Sequence, residues 1–208
     1  MVAIRRLVTI SVLIYALLVL PIPALAKQPF DSIAQLQDVH EDGQVHSFCT
    51  IWATTLSPYG NDHTFWVTAA HCMQNVDLDA LLIRGEKARL LQIDEEHDLA
   101  LLDGPHAQGL RIGFGDTPSA GTEIFTVGYP AGSVDPLMSK GIVSNPSAFK
   151  NAKAVFNVAS GPGSSGSPVM VKGNVVVGLI QFGPCQGVCP IAGGATLKTL
   201  RIFLYGAP

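Results

Sequence analysis

The sequence has no excess of basic residues. Thirteen Lys and Arg stand against sixteen Asp and Glu, a net charge of −3. A nucleic-acid binder needs a basic footprint, so that class is set aside. There is no internal repeat, heptad pattern or low-complexity tract, which removes repeat arrays and coiled coils. Amphipathic helical stretches are almost missing. Cysteine is scarce, with four residues, Cys49, Cys72, Cys185 and Cys189. None of them follows the apolar N-terminal run closely, so nothing suggests lipidation there.

What is present begins with "MVAIRRLVTISVLIYALLVLPIPALA". Arg5 and Arg6 form a positive start and an apolar run follows from Leu7 to Leu20. Pro21 and Pro23 break the run, and Ala24-Leu25-Ala26 offers a small-x-small cleavage pattern. This layout reads as a secretory signal peptide over residues 1–26. Leu7 to Ala26 is also just long enough to span a bilayer, but the two prolines and the Ala-x-Ala end favour cleavage. The mature chain is then 27–208, exported to the periplasm or the medium, with no stable membrane anchor. An even cysteine count in an exported chain reads as two disulfides. Pairing in sequence order, Cys49 with Cys72 and Cys185 with Cys189, is one of three possibilities. A zinc set of Cys72, Cys185, Cys189 and a histidine matches no common spacing, and no metal is expected.

Short apolar runs alternate with Gly, Pro, Asn and Asp clusters through the mature chain, which predicts strands and turns. Candidate strands are 47–52, 65–68, 80–83, 88–93, 99–102 and 111–114. After the turn-rich "GDTPSAG" at 115–121 come 122–127, 139–144, 154–158, 167–171, 175–182 and 194–197. Helical pieces are expected only at 69–73 and 197–205. The chain reads as all-β in two halves.

One stretch asks for chemistry: "SGPGSSGSPV", 160–169. Gly and Ser are default loop residues. A serine nucleophile, however, needs a base, a carboxylate to orient the base, and N–H groups aimed at the developing oxyanion. Gly163 and Gly166 flank Ser164 and Ser165, and glycine permits so tight a turn. The base candidates are His40, His46, His63, His71, His97 and His106. His71 stands out in "FWVTAAHC", where an apolar strand and two small residues precede it and Cys72 follows. Asp98, in "EHDLALL", opens an apolar strand, where a carboxylate is costly unless it is paired. No histidine occurs after His106. That absence excludes the Ser…Asp…His order of α/β-hydrolases and leaves His71…Asp98…Ser165.

"VTAAHC", "DLALL", "GSSGSPV" and "VVVGLIQFG", in this order, resemble the catalytic segments of trypsin-like, chymotrypsin-fold serine proteases. "GSSGSPV" is similar to glutamyl endopeptidases. "GDTPSAGTEIFTVGYPAGS" and "MSKGIVSN" resemble the second barrel of HtrA-type periplasmic proteases. The resemblance implies two antiparallel six-stranded β-barrels, about 45–115 and 121–208, with the active site in the cleft between them and a short C-terminal helix. It implies a triad of His71, Asp98 and Ser165, an oxyanion hole from the N–H groups of Gly163 and Ser165, and a Cys49–Cys72 disulfide anchoring the catalytic histidine. It implies hydrolysis of polypeptide substrates through an acyl-enzyme, without a cofactor. The contrasting expectation is an inactive relative that uses the same fold for binding.

Several positions depart from the family. Ser164 stands where trypsin-type zymogens carry the Asp that pairs with a new N-terminus, so no such switch is expected. The substrate pocket is expected around Ala159, Ser160, Gln181 and Gly183, with no acid at its base. An uncharged residue is therefore expected before the scissile bond. Glutamyl endopeptidases carry a His where this chain has Gln181. The chain ends at Pro208, without room for the peptide-binding domain of many HtrA-type enzymes, and a monomer is expected.

Overall fold

The computed structural model describes residues 29–39, 43–56, 63–149, 153–183 and 187–206. The expected signal peptide, 1–26, lies outside these residues. Among the described residues no helix is long and apolar enough to cross a membrane.

Among the described residues, fourteen strands form two sheets. The first contains β1 (Ile33–Val39), β2 (Val45–Thr55), β3 (Thr64–Thr68), β4 (Leu81–Ile83), β5 (Glu86–Lys87), β6 (Arg89–Asp94) and β7 (Leu99–Asp103), in the order β5-β4-β1-β2-β3-β7-β6. The second contains β8 (Arg111–Ile112), β9 (Glu123–Gly128), β10 (Leu137–Phe149), β11 (Lys153–Asn157), β12 (Pro168–Val171), β13 (Val175–Phe182) and β14 (Ala192–Thr196), in the order β12-β9-β10-β11-β14-β13-β8. A further β12–β13 pairing closes six of these strands into a barrel, and β8 is added in parallel on β13. All other ladders are antiparallel.

The all-β, two-sheet architecture is the one expected. In detail the first sheet is curled but not a ladder-closed ring. Its two edge strands, β5 and β6, are consecutive in the chain with only Ala88 between them. Ala88 donates from its N–H to Leu81 O at 2.9 Å, in the register of the β4–β5 pairs, and β5 and β6 form no ladder with each other among the described residues. The sheet also starts earlier than residue 45, because β1 pairs with both β2 and β4.

Burial explains the strand sequences. β3 (TFWVT) and most of β7 (LALL) are covered on both faces, so they read as continuous apolar runs. β6 is an edge with Leu91 and Ile93 exposed. One core cluster, built around Trp52, Trp66 and Leu102, reaches across to Met170, Leu179 and Phe203 of the second half. A second, around Phe156 and Ile180, fills the closed barrel. The last nine-residue segment, α1 (Leu197–Tyr205), starts where Thr196 Oγ1 accepts from Thr199 N and stops at Gly206 with φ +81°. This is the usual pairing of a hydroxyl N-cap with a glycine end. Two main-chain hydrogen bonds help stitch the two halves: Thr50 N to Ser165 O at 2.9 Å and Leu110 N to Ala53 O at 2.7 Å.

Candidate active site

His71 lies in a single 3-10 turn, Ala70–Met73, directly after β3. Ala69 and Ala70 are buried, so their small side chains let the turn sit against the core. Next door, Cys72 is bonded to Cys49 of β2. This is the pairing the resemblance implies. The two sulfurs and a ring nitrogen of His71 lie within 4.8 Å. Both sulfurs are committed to the disulfide, so no thiolate is available to a metal.

Asp98 closes the four-residue turn between β6 and β7, in the left-handed region at φ +56°. Aspartate tolerates that region better than most side chains. Asp94 closes the other end. Its carboxylate accepts from His97 N at 3.0 Å and meets His97 Nδ1 at 2.8 Å. Burial alone would raise the Asp94 pKa. The hydrogen bonds from His97 and the Glu96 N–H outweigh it and hold the pKa below the ordinary value.

The turn delivers the Asp98 carboxylate to His71. Oδ1 accepts from His71 N at 2.8 Å, and both carboxylate oxygens are 3.0 Å from Nδ1. An ionised carboxylate only accepts, so Nδ1 carries the proton and Nε2 is left as the basic nitrogen. The imidazole is 38% exposed and the Asp98 side chain 18%. A substrate can therefore reach the base while its partner stays sheltered.

Ser165 comes from the other sheet, on the turn before β12. Gly163 has φ +85°, and a Cβ there would stand 2.4 Å from Tyr129 O, so only glycine fits. Ser164 folds the turn on itself: its N donates to Gly161 O at 2.9 Å and its Oγ accepts from Gly161 N at 3.1 Å. The N–H groups of Gly163 and Ser165 have no acceptor among the described residues. Ser165 Oγ donates to Gln181 O at 3.3 Å, and no hydrogen bond joins it to His71. A cavity of ≈ 200 Å³, lined in part by Phe48, Cys49, Tyr129 and Pro162, opens beside Gly163. Burial pushes the Tyr129 phenol up, so it stays neutral there.

The substrate-pocket residues divide. Gly183 and Ser160 face each other: a Cβ on Gly183 would be 3.3 Å from Ser160 Oγ and 3.1 Å from Cys189 Sγ. Ser160 exchanges both main-chain bonds with Cys189, at 2.9 and 2.6 Å. Ala159 is exposed. Gln181 corrects the expectation. The residue is 2% exposed, and its Nε2 donates to His97 O and Asp98 O, both at 2.7 Å. A carboxamide spent on two carbonyls behind the aspartate has no donor left for a substrate. The sequence signal for this role was a glutamine inside an apolar, buried run. Cys189 is disulfide-bonded; Cys185 lies outside the described residues.

Comparisons with known proteins give the family and the fold. Residues 54–179 match the family described as trypsin-like peptidase domain. A Do-like protease of Arabidopsis thaliana is 31% identical over 128 residues, 54% of this chain and 26% of that protein. A serine protease DegP homolog of Plasmodium falciparum is 32% identical over 105 residues, 43% of this chain and 12% of its own length. The chain thus spans about a quarter or less of these relatives. Among solved structures, the HtrA-type protease AlgW with a tripeptide superposes with TM-score 0.67 at 17% identity, over 85% of this chain and 62% of that one. AlgW with a decapeptide gives TM-score 0.67 at 16% identity, over 85% and 66%. With the family matched across most of both sheets, and His71, Asp98 and Ser165 inside the match, the chain belongs to the trypsin-like peptidase family of serine proteases.

Proposed function

We propose that the protein is an exported serine endopeptidase working through His71, Asp98 and Ser165. The observation that carries this reading is the seating of His71 Nδ1 on Asp98, which leaves Nε2 as the nitrogen able to accept a proton. In the reaction Ser165 Oγ turns from Gln181 O to His71 Nε2 and gives up its proton as it attacks the peptide carbonyl. The Gly163 and Ser165 N–H groups take the oxyanion. Imidazolium, steadied by Asp98, then protonates the leaving amine as the C–N bond breaks. Water attacks the acyl-enzyme, losing its proton to Nε2, and Oγ recovers a proton as the acid departs.

Polypeptides are the substrates. An uncharged residue before the scissile bond is favoured, because Ser160, Gly183 and Cys189 bring no charge to the pocket. The N-terminal segment 1–26 supports export to the periplasm or medium, and the protein acts as a monomer without a cofactor. Ser164, folded onto its own turn, supports activity independent of a freshly cut N-terminus. One observation favours the second reading, an inactive binding module: Ser165 Oγ is bonded to Gln181 O rather than to His71. A fluorophosphonate probe with peptide-pool profiling separates the two. Labelling lost in Ser165→Ala, with cleavage after uncharged residues, is expected. An unlabelled wild type that still binds peptides establishes the binding module.

A further inference from the structure

We propose that Thr50, on β2 of the first sheet, is the positioning residue that holds the oxyanion-binding turn of the second sheet in its working orientation. The inference rests on the endopeptidase reading above. Thr50 is fully buried, and every polar group it owns is spent next to the nucleophile. Its N–H donates to Ser165 O at 2.9 Å. Its Oγ1 donates to Gly163 O at 2.8 Å and accepts from Tyr129 N at 3.0 Å. Its carbonyl accepts from Thr68 Oγ1 at 2.8 Å, which ties it back to β3 just before His71.

The turn needs such a hold. Gly163 has no Cβ and moves readily between backbone conformations. Its N–H serves the oxyanion only while its two flanking peptides keep their direction. In a trans peptide the N–H and C=O point opposite ways. Pro162 O is captured by Ala131 N at 2.6 Å, which sends the Gly163 N–H the other way. The next peptide is held at both ends, its carbonyl by the Thr50 hydroxyl at 2.8 Å and its Ser164 N–H by Gly161 O at 2.9 Å, and of the two Thr50 is the hold that comes from the first sheet. Without it the part-buried Gly163 carbonyl loses its donor, and the Ser164 N–H bond alone resists rotation of that peptide. Thr50 fits closely: a Cβ on Gly128 would come 2.8 Å from its Oγ1, and one on Gly166 would come 2.0 Å from its carbonyl oxygen.

The test compares Thr50→Val, equal in shape but without the hydroxyl, with Thr50→Ser, which restores it. Three measurements are made: steady-state kinetics, affinity for a peptide aldehyde that forms the tetrahedral adduct, and exchange of the Tyr129 amide proton. Thr50→Val is expected to lower kcat about tenfold to a hundredfold at nearly constant KM, less than the roughly 10²–10³-fold cost of losing an oxyanion donor outright. Aldehyde affinity falls with kcat, the Tyr129 amide exchanges faster, and Thr50→Ser recovers all three. Full activity in Thr50→Val, a loss confined to KM, or no recovery in Thr50→Ser would overturn the proposal. An inactive wild type defeats the endopeptidase reading instead. The amide exchange then still decides: equal rates in wild type and Thr50→Val would remove Thr50 as the hold.

Discussion

Gln181 Nε2 lies 2.7 Å from the main-chain oxygen of Asp98, the residue whose carboxylate carries His71. The same nitrogen is 2.7 Å from His97 O. Two carbonyls aimed at one atom fix it as the amide nitrogen, since a flipped amide would set oxygen against oxygen. The second barrel thus braces the turn that presents the Asp98 carboxylate to His71. Gln181 Oε1 is buried and has no partner among the described residues, so the brace carries its own cost.

Replacing Gln181 therefore acts on activity and on stability. Gln181→Met leaves the His97 and Asp98 carbonyls without this donor but also removes one unpaired acceptor, so the net loss is about 1–3 kcal/mol. Turnover is expected to fall roughly tenfold as Asp98 loosens its hold on the imidazole. Gln181→Glu is worse on both counts, because a carboxylate oxygen then faces two carbonyls. Denaturant unfolding and kcat/KM on one peptide measure both; a glutamate variant as active as wild type removes the brace.

The triad assignment predicts strong non-additivity. Ser165→Ala and His71→Ala each cost on the order of 10⁴–10⁶ in turnover, and the double variant costs no more than either alone. Additive losses would show that the two side chains do not work as one unit.

How much of this was legible in sequence differs from element to element. β13 and α1 were read with their observed bounds, because "VVVGLIQF" is a continuous buried run and the final helix starts at a threonine cap. β1 was missed: "IAQLQDV" sets Gln35 and Gln37 among its apolar residues, and Asp38 is buried. β10 was read too short, because Pro146 interrupts its pattern, and the ladder to β11 accommodates that segment through register shifts. His71, Asp98 and Ser165 were legible as motifs in one order. Gln181 and Thr50 were not legible as supports. Which way a buried polar side chain leans depends on contacts between sheets, over sequence distances that no local pattern encodes.

The Cys49–Cys72 disulfide closes a loop of sequence separation 23 between β2 and the His71 turn. Removing it with a double Cys→Ala change is expected to cost about 3 kcal/mol on the chain-entropy account. Because Cys72 adjoins His71, turnover should fall in the folded protein as well. Melting and kcat measured on the same sample separate the effects, and an unchanged melting temperature would contradict the stabilising role.

Acid sensitivity follows from Asp94, which closes the turn ending at Asp98. Its carboxyl is held below the ordinary value because His97 and the Glu96 N–H, taken together, outweigh burial. A depressed folded-state pKa means the unfolded chain takes up the proton first as pH falls. The stabilisation is then complete above the unfolded value, about 3.9, and is lost as pH drops through the lower folded value. Asp94→Asn lacks this dependence. The stability gap between wild type and Asp94→Asn should be constant from pH 7 down to about 5 and shrink below about 4. Urea unfolding at several pH values measures it. A gap that widens toward low pH would mean that the His97 contacts do not favour the ionised carboxylate.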